Sequence, residues 1–111
     1  MTLASDGVPL LVDSTFTTPW LMKPFDLGAD LLFHSATKFL SGHGTVIGGV
    51  VVDSGAFDWE GSGRFPEMTA PYEGFHNMVF SEESTVGAFL LRARREGLRD
   101  FGACMSPHTA W

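Results

Sequence analysis

At 111 residues the chain has the length of one small domain, and a hydrophobic share of 44% argues against disorder. Thirteen acidic residues against seven basic ones leave a net charge of -6, which speaks against a nucleic-acid surface. A single cysteine, Cys104, excludes an internal disulfide framework and fits a reducing cytoplasm. The opening MTLASDGVPLL has neither the basic start of a signal peptide nor the apolar length of a membrane span, so no membrane partner is expected.

Pro9 to Asp13 reads as a short buried strand after an Asp6-Gly7 turn. Thr18-Pro19 opens a short irregular or helical piece, and Lys23 to Gly28 predicts one helical turn ended by glycine. Asp30 to His34 is a second buried strand that stops at Ser35. Its continuous apolar run, like that of Pro9 to Val12, suits a sheet covered on both faces. Ser41 to Thr45 is a glycine-rich turn. Val46 to Asp53 predicts a third strand, in which Gly48-Gly49 suggests close approach by another backbone or a ligand. Ser54 to Asn77 shows no useful period and reads as a long loop, with Phe57, Trp59 and Phe65 as its anchors, a subunit contact or a substrate rim.

Helical spacing returns from Ser81 to about Met105. Val86, Phe89, Leu90 and Ala93 share one face, which Leu98, Phe101, Cys104 and Met105 continue. Arg92, Arg94, Arg95 and Arg99 then form a solvated face, Glu82 and Glu83 favour the helix start, and Gly97 marks a kink or break. Ser106-Pro107 carries the pattern of a further helix start.

Two places carry chemistry. In ADLLFHSATKF, an apolar run breaks into Ser35 and Thr37 and ends on Lys38. Hydroxyls at the carboxyl end of a strand stand where open α/β sheets place ligands, and a lysine amine forms a Schiff base with a carbonyl. Hydroxyls suited to a phosphate, beside an amine suited to an aldehyde, describe a pyridoxal phosphate site. Upstream, PLLVDST ends a second apolar run in Asp13, an acid that needs a partner if buried. A protonated pyridine nitrogen would be that partner, and it must stay charged for the ring to accept electrons. Taken singly, Lys38 also fits a solvated lysine in a polar turn, and Asp13 an N-cap or turn aspartate. His34 reads as a packed strand-end residue. The four histidines and Cys104 share no metal-ligand spacing, so no metal is expected.

The stretch VDSTFTTPWLMKPFDLGADLLFHSATKFLSGHGTVIGGVVVDSGAFDW resembles the Cys/Met-metabolism family of pyridoxal-phosphate enzymes, from about Val8 to the end of the chain. The resemblance implies an α/β fold, part of the large domain of a type I pyridoxal-phosphate-dependent transferase, with a mostly parallel sheet and covering helices. It implies that residues 1–111 are a fragment of that cofactor-binding domain, without its N-terminal part or the C-terminal small domain. By resemblance Lys38 would hold the cofactor covalently, Asp13 would pair with the pyridine nitrogen, and Ser35 and Thr37 would hold the phosphate. Ser14 stands where the family commonly has asparagine. The segment 54–77 resembles a surface excursion of the large domain.

Gly42-His43-Gly44-Thr45, IGGVVVDSGAFDW and FPEMTAPYEGFHNMVF are similar to the O-acetylhomoserine sulfhydrylase branch, whereas cystathionine enzymes and methionine lyases usually read GHSD. The implied reaction is γ-substitution of O-acetylhomoserine by sulfide, giving homocysteine and acetate, in a homo-oligomer (a tetramer in the full-length family). Two alternatives stay open. One is a C–S lyase or cystathionine synthase of the same family; the other is a catalytically silent fragment acting as a folding or association module.

Overall fold

The computed structural model describes residues 6–84 and 87–111. Three short strands form one sheet in the order β1 (Leu11–Asp13), β2 (Leu31–Ser35), β3 (Gly49–Asp53). Each is two or three residues shorter at its start, or one longer at its end, than the apolar runs predict. β1 pairs parallel to β2, with Asp13 opposite Phe33. A parallel return needs a crossover, and here a helix α1 (Thr18–Leu21) and a 3-10 turn (Pro24–Leu27) supply it. Gly28, at φ 92°, ends that turn as a left-handed cap.

The parallel pairing expected of the sheet holds for β1 and β2. β3 instead runs antiparallel to β2, with Ser35 opposite Gly49. The intervening residues are spent in a π-helical turn (Ala36–Leu40) and in a glycine turn with Gly42 at φ 78° and Gly44 at φ 68°. These send the chain straight back along the same sheet.

The region from 54 to 77, expected as a surface excursion, carries much of the core. α2 (Trp59–Ser62), α3 (Pro66–Thr69) and α4 (Phe80–Glu83) are four residues each. Such helices are too short to persist alone, so packing must hold them. Trp59, Met68, Phe80 and Ala88 form the buried cluster, with Phe57, Phe65, Tyr72, Met78, Phe89 and Leu91 against it. The loop lacks a period because each aromatic is placed by a separate turn. Phe57, Trp59 and Phe65 anchor it, meeting edge to face at centroid distances of 4.7 to 6.0 Å.

The single helix expected over 81–105 is interrupted. α4 ends at Glu83, α5 (Ala88–Arg92) follows, and a π-helical segment (Ala93–Leu98) containing Gly97 leads into α6 (Arg99–Phe101). Gly102, at φ 66°, stops it before Cys104 and Met105. Val86 lies outside the described residues. Leu98, Phe101, Cys104 and Met105 are exposed and form no buried face.

Arg94, Arg95 and Arg99 are exposed, as a solvated face requires, whereas Arg92 is half-buried. Arg92 lies over the rings of Tyr72 and Phe80, donates to the Glu67 carbonyl, and pairs with Glu96 at 2.7 Å. Arg95 stacks on Phe75 at 4.5 Å, and Arg99 donates to the Tyr72 hydroxyl. Aromatic rings from the loop attract these guanidinium groups across the helix. Ser106 caps α7 (Pro107–Ala110) by accepting from the Thr109 amide, as the Ser-Pro pattern predicts.

β2 is buried at Leu31, Leu32 and His34, but Leu11, Val50 and Val51 on the flanking strands are exposed. Leu31 and Leu32, on opposite faces of β2, are both buried, as cover on both faces requires, whereas the flanking strands are open. The molecule is a slab, 42 × 38 × 16 Å.

Candidate active site

β1 and β2 end side by side, and their last residues are Asp13 and Ser35. The chain after Asp13 folds back at once. The Thr15 amide donates to Asp13 Oδ1 at 3.0 Å and the Thr15 hydroxyl donates to the same oxygen at 2.5 Å. This is the local turn that an acid followed two residues later by a hydroxyl favours. Thr15 Oγ1 also accepts from the Ser35 amide at 2.8 Å. One buried hydroxyl, on a residue 5% exposed, therefore bridges the two strand ends. Ser14 beside it is buried too; its amide donates to the Phe33 carbonyl and its hydroxyl pairs with Thr17. The backbone at this position closes β1 onto β2, and the serine hydroxyl is engaged with Thr17.

The Asp13 carboxyl is held below the usual carboxylate range. The Thr15 hydroxyl is the largest cause, the Thr15 amide the next; burial opposes them and the nearby His34 ring adds to them. Asp13 is consequently an anion at neutral pH. His34 itself is 3% exposed, a packed strand-end residue.

Past Ser35 the chain enters the π-helical turn, and Lys38 departs from helical geometry within it, at φ -94° and ψ -120°. Thr37 is fastened to the start of β3. Its amide donates to the Gly48 carbonyl at 3.3 Å, and the Gly48 amide donates to Thr37 Oγ1 at 3.1 Å. The close approach suggested by Gly48-Gly49 is to this turn and to Met105: a Cβ on Gly48 would stand 3.6 Å from that of Ala36 and 3.2 Å from the Met105 Cε. The Thr37 hydroxyl donates to the Gly48 carbonyl across a long 3.4 Å oxygen–oxygen distance. Among the described residues the Ser35 hydroxyl makes no hydrogen bond.

Lys38 is exposed and lines a cavity of about 320 Å³ with Thr37, Phe16, Phe39, Gly42, His43 and Gly44. Phe16 and Phe39 meet edge to face at 5.9 Å, joining the segment after Asp13 to the segment after Lys38. The four residues expected at the site thus occupy one corner of the sheet. Two more, Thr15 and Phe16, escaped the sequence reading, although the Asp-Ser-Thr spacing carried a signal for Thr15. Larger cavities of about 680 and 940 Å³ lie along α5 and hold none of these residues.

An anionic aspartate and two hydroxyls at or just past adjoining strand ends, with a lysine in the turn that follows, are groups of the kind that would hold a lysine-anchored cofactor. Comparison with known proteins carries this further. The model of the Cys/Met metabolism PLP-dependent enzyme family matches residues 2–111, and the chain belongs to that family. It is 46% identical over 113 residues to the O-acetyl-L-homoserine sulfhydrylase of Leptospira meyeri, covering 95% of this chain and 25% of that protein. It is 52% identical over 103 residues to the homocysteine synthase of Schizosaccharomyces pombe, covering 91% of this chain and 24% of the relative. A crystal structure of a candidate O-acetylhomoserine (thiol)-lyase from Campylobacter jejuni superposes with a TM-score of 0.82 at 29% identity. It covers 95% of this chain and 26% of that one, and it carries N'-pyridoxyl-lysine-5'-monophosphate. The fold is accordingly part of that of the pyridoxal-phosphate-dependent enzymes. The chain spans about a quarter of the length of the curated relatives it matches.

The donor set fits pyridoxal phosphate. The cofactor presents a pyridine nitrogen, a phosphate and an aldehyde, and the corner offers one carboxylate held as an anion, two hydroxyls with protons to give, and one amine.

Proposed function

We propose that this chain is part of the large, cofactor-binding domain of an enzyme that joins O-acetyl-L-homoserine and sulfide, releasing homocysteine and acetate. The observation that carries this reading is the gathering of Asp13, Ser35, Thr37 and Lys38 on two adjoining strand ends, in a chain close in sequence to named sulfhydrylases. Bound pyridoxal phosphate supplies the electron sink for charge developing at the substrate Cα.

Asp13 keeps a proton on the pyridine nitrogen, and its second oxygen is the one Thr15 leaves free. Ser35 and Thr37 donate their hydroxyl protons to the phosphate. Lys38 Nζ would hold the cofactor through its aldehyde carbon and, when free, would serve as the base at the substrate Cα. A second proton would leave Cβ, acetate would depart from Cγ with the bonding electrons, sulfide would add at Cγ as HS⁻, and the two protons would return to Cβ and Cα to give homocysteine. Phe16 and Phe39 wall the Lys38 cavity with apolar surface. The partners of this reading are a small amino acid and sulfide, in a homo-oligomer and in the cytoplasm. Among the described residues no helix is long and apolar enough to cross a membrane.

The test is borohydride reduction with pyridoxal phosphate followed by peptide mapping, together with product analysis in a full-length protein containing this segment. Cofactor on Lys38, and homocysteine from O-acetylhomoserine plus sulfide, are expected. Cleavage of methionine or cystathionine instead would favour the lyase alternative.

A further inference from the structure

Thr15 is used by neither the family resemblance nor the chemistry above, yet it is the most constrained hydroxyl at the site. Its single proton goes to Asp13 Oδ1 at 2.5 Å, and its lone pair takes the Ser35 amide at 2.8 Å. The first residue would meet the pyridine nitrogen and the second the phosphate, which lie at opposite ends of the cofactor. We propose that Thr15 is a positioning residue that sets the spacing and orientation of these two anchors through one bridging hydroxyl. The proposal rests on the pyridoxal phosphate reading of the site.

Three features support it. β1 and β2 are joined here by a side chain as well as by their ladder, because Asp13 is the last residue of β1 and Ser35 the last of β2. The hydroxyl is buried, so water does not compete for either bond. Both Thr15 bonds to Asp13 fall on Oδ1, which leaves the other carboxylate oxygen unoccupied by Thr15. The bridge also favours the charged form of Asp13, to which the His34 ring contributes from β2.

The experiment compares Thr15→Val, which keeps the shape and removes the hydroxyl, with Thr15→Ser, which keeps the hydroxyl. Two readouts are taken: titration of the Asp13 carboxyl by carbon NMR in this chain, and pyridoxal phosphate bound to Lys38 after borohydride reduction in a full-length protein containing this segment. Thr15→Val is expected to move the Asp13 titration upward and weaken cofactor attachment roughly tenfold, the size set by one hydrogen bond to a charged group. Thr15→Ser restores both. An unchanged Asp13 titration in Thr15→Val, or a Thr15→Ser variant that behaves like valine, overturns the proposal. A full-length parent that takes no pyridoxal phosphate on Lys38 defeats the cofactor reading instead. In that case the Asp13 titration in the two variants still decides whether Thr15 controls this carboxylate.

Discussion

Lys38 and Asp13 make opposite demands on their surroundings, and each yields a prediction. The chain has two lysines, and the other, Lys23, is exposed and precedes Pro24 at the start of the 3-10 turn. Lys38→Ala should therefore abolish covalent cofactor attachment and lower turnover of a full-length protein by at least about 100-fold. A borohydride-reduced map with the cofactor on Lys23 would sink the assignment. Asp13→Asn should fold but lose turnover by on the order of 100-fold, since asparagine cannot hold the pyridine proton by charge. Kinetics of the full-length variant within a few-fold of the parent would contradict that role.

Asp13 also links stability to pH. Its folded pKa is lowered, so its favourable contribution is present above the ordinary carboxylate pKa and is lost as pH falls through the folded value. Asp13→Asn should consequently flatten the loss of stability below about pH 4, as read from urea midpoints across an acid series.

Short helices held by aromatic rings make the 54–101 segment depend on a few contacts. Phe80 is 0% exposed and touches both sides of the cluster, with Tyr72 at 5.7 Å. Phe80→Ala should cost about 3–5 kcal/mol, measured as a shift in denaturant midpoint. A change below about 1 kcal/mol would mean the loop is held by something else. Arg92 belongs to the same assembly. Its planar guanidinium serves two rings, a carbonyl and Glu96 together, which the point charge of lysine cannot do.

The slab as a whole exposes many large apolar side chains. Trp20 is 91% exposed and Ile47 88%, and Phe16, Leu11, Val50 and Val51 add to them. In relatives about four times longer, further chain is at hand to cover such surfaces and to complete the site. The chain by itself should then bind pyridoxal phosphate weakly and form no homocysteine from O-acetylhomoserine and sulfide. Measurable homocysteine formation by the purified chain, free of any longer relative, would refute this.

Local chemistry was legible where neighbours in sequence are neighbours in space. Asp13 at the end of PLLV, Ser35 and Thr37 after DLLFH, and the glycine caps at Gly28 and Gly42 all follow from apolar runs and turn residues a few positions apart. The α/β class follows too, because unbroken apolar strands need helices against them. Contacts across the chain were decided by tertiary structure. The direction of β3, the burial of Trp59 and Met68, and the use of Arg92 and Arg95 on aromatic rings depend on partners distant in sequence. The Thr15 bridge has one half in each category. Its bond to Asp13 is written in a two-residue spacing, whereas its bond to Ser35, twenty residues on, exists only because β1 and β2 pair in parallel and end together.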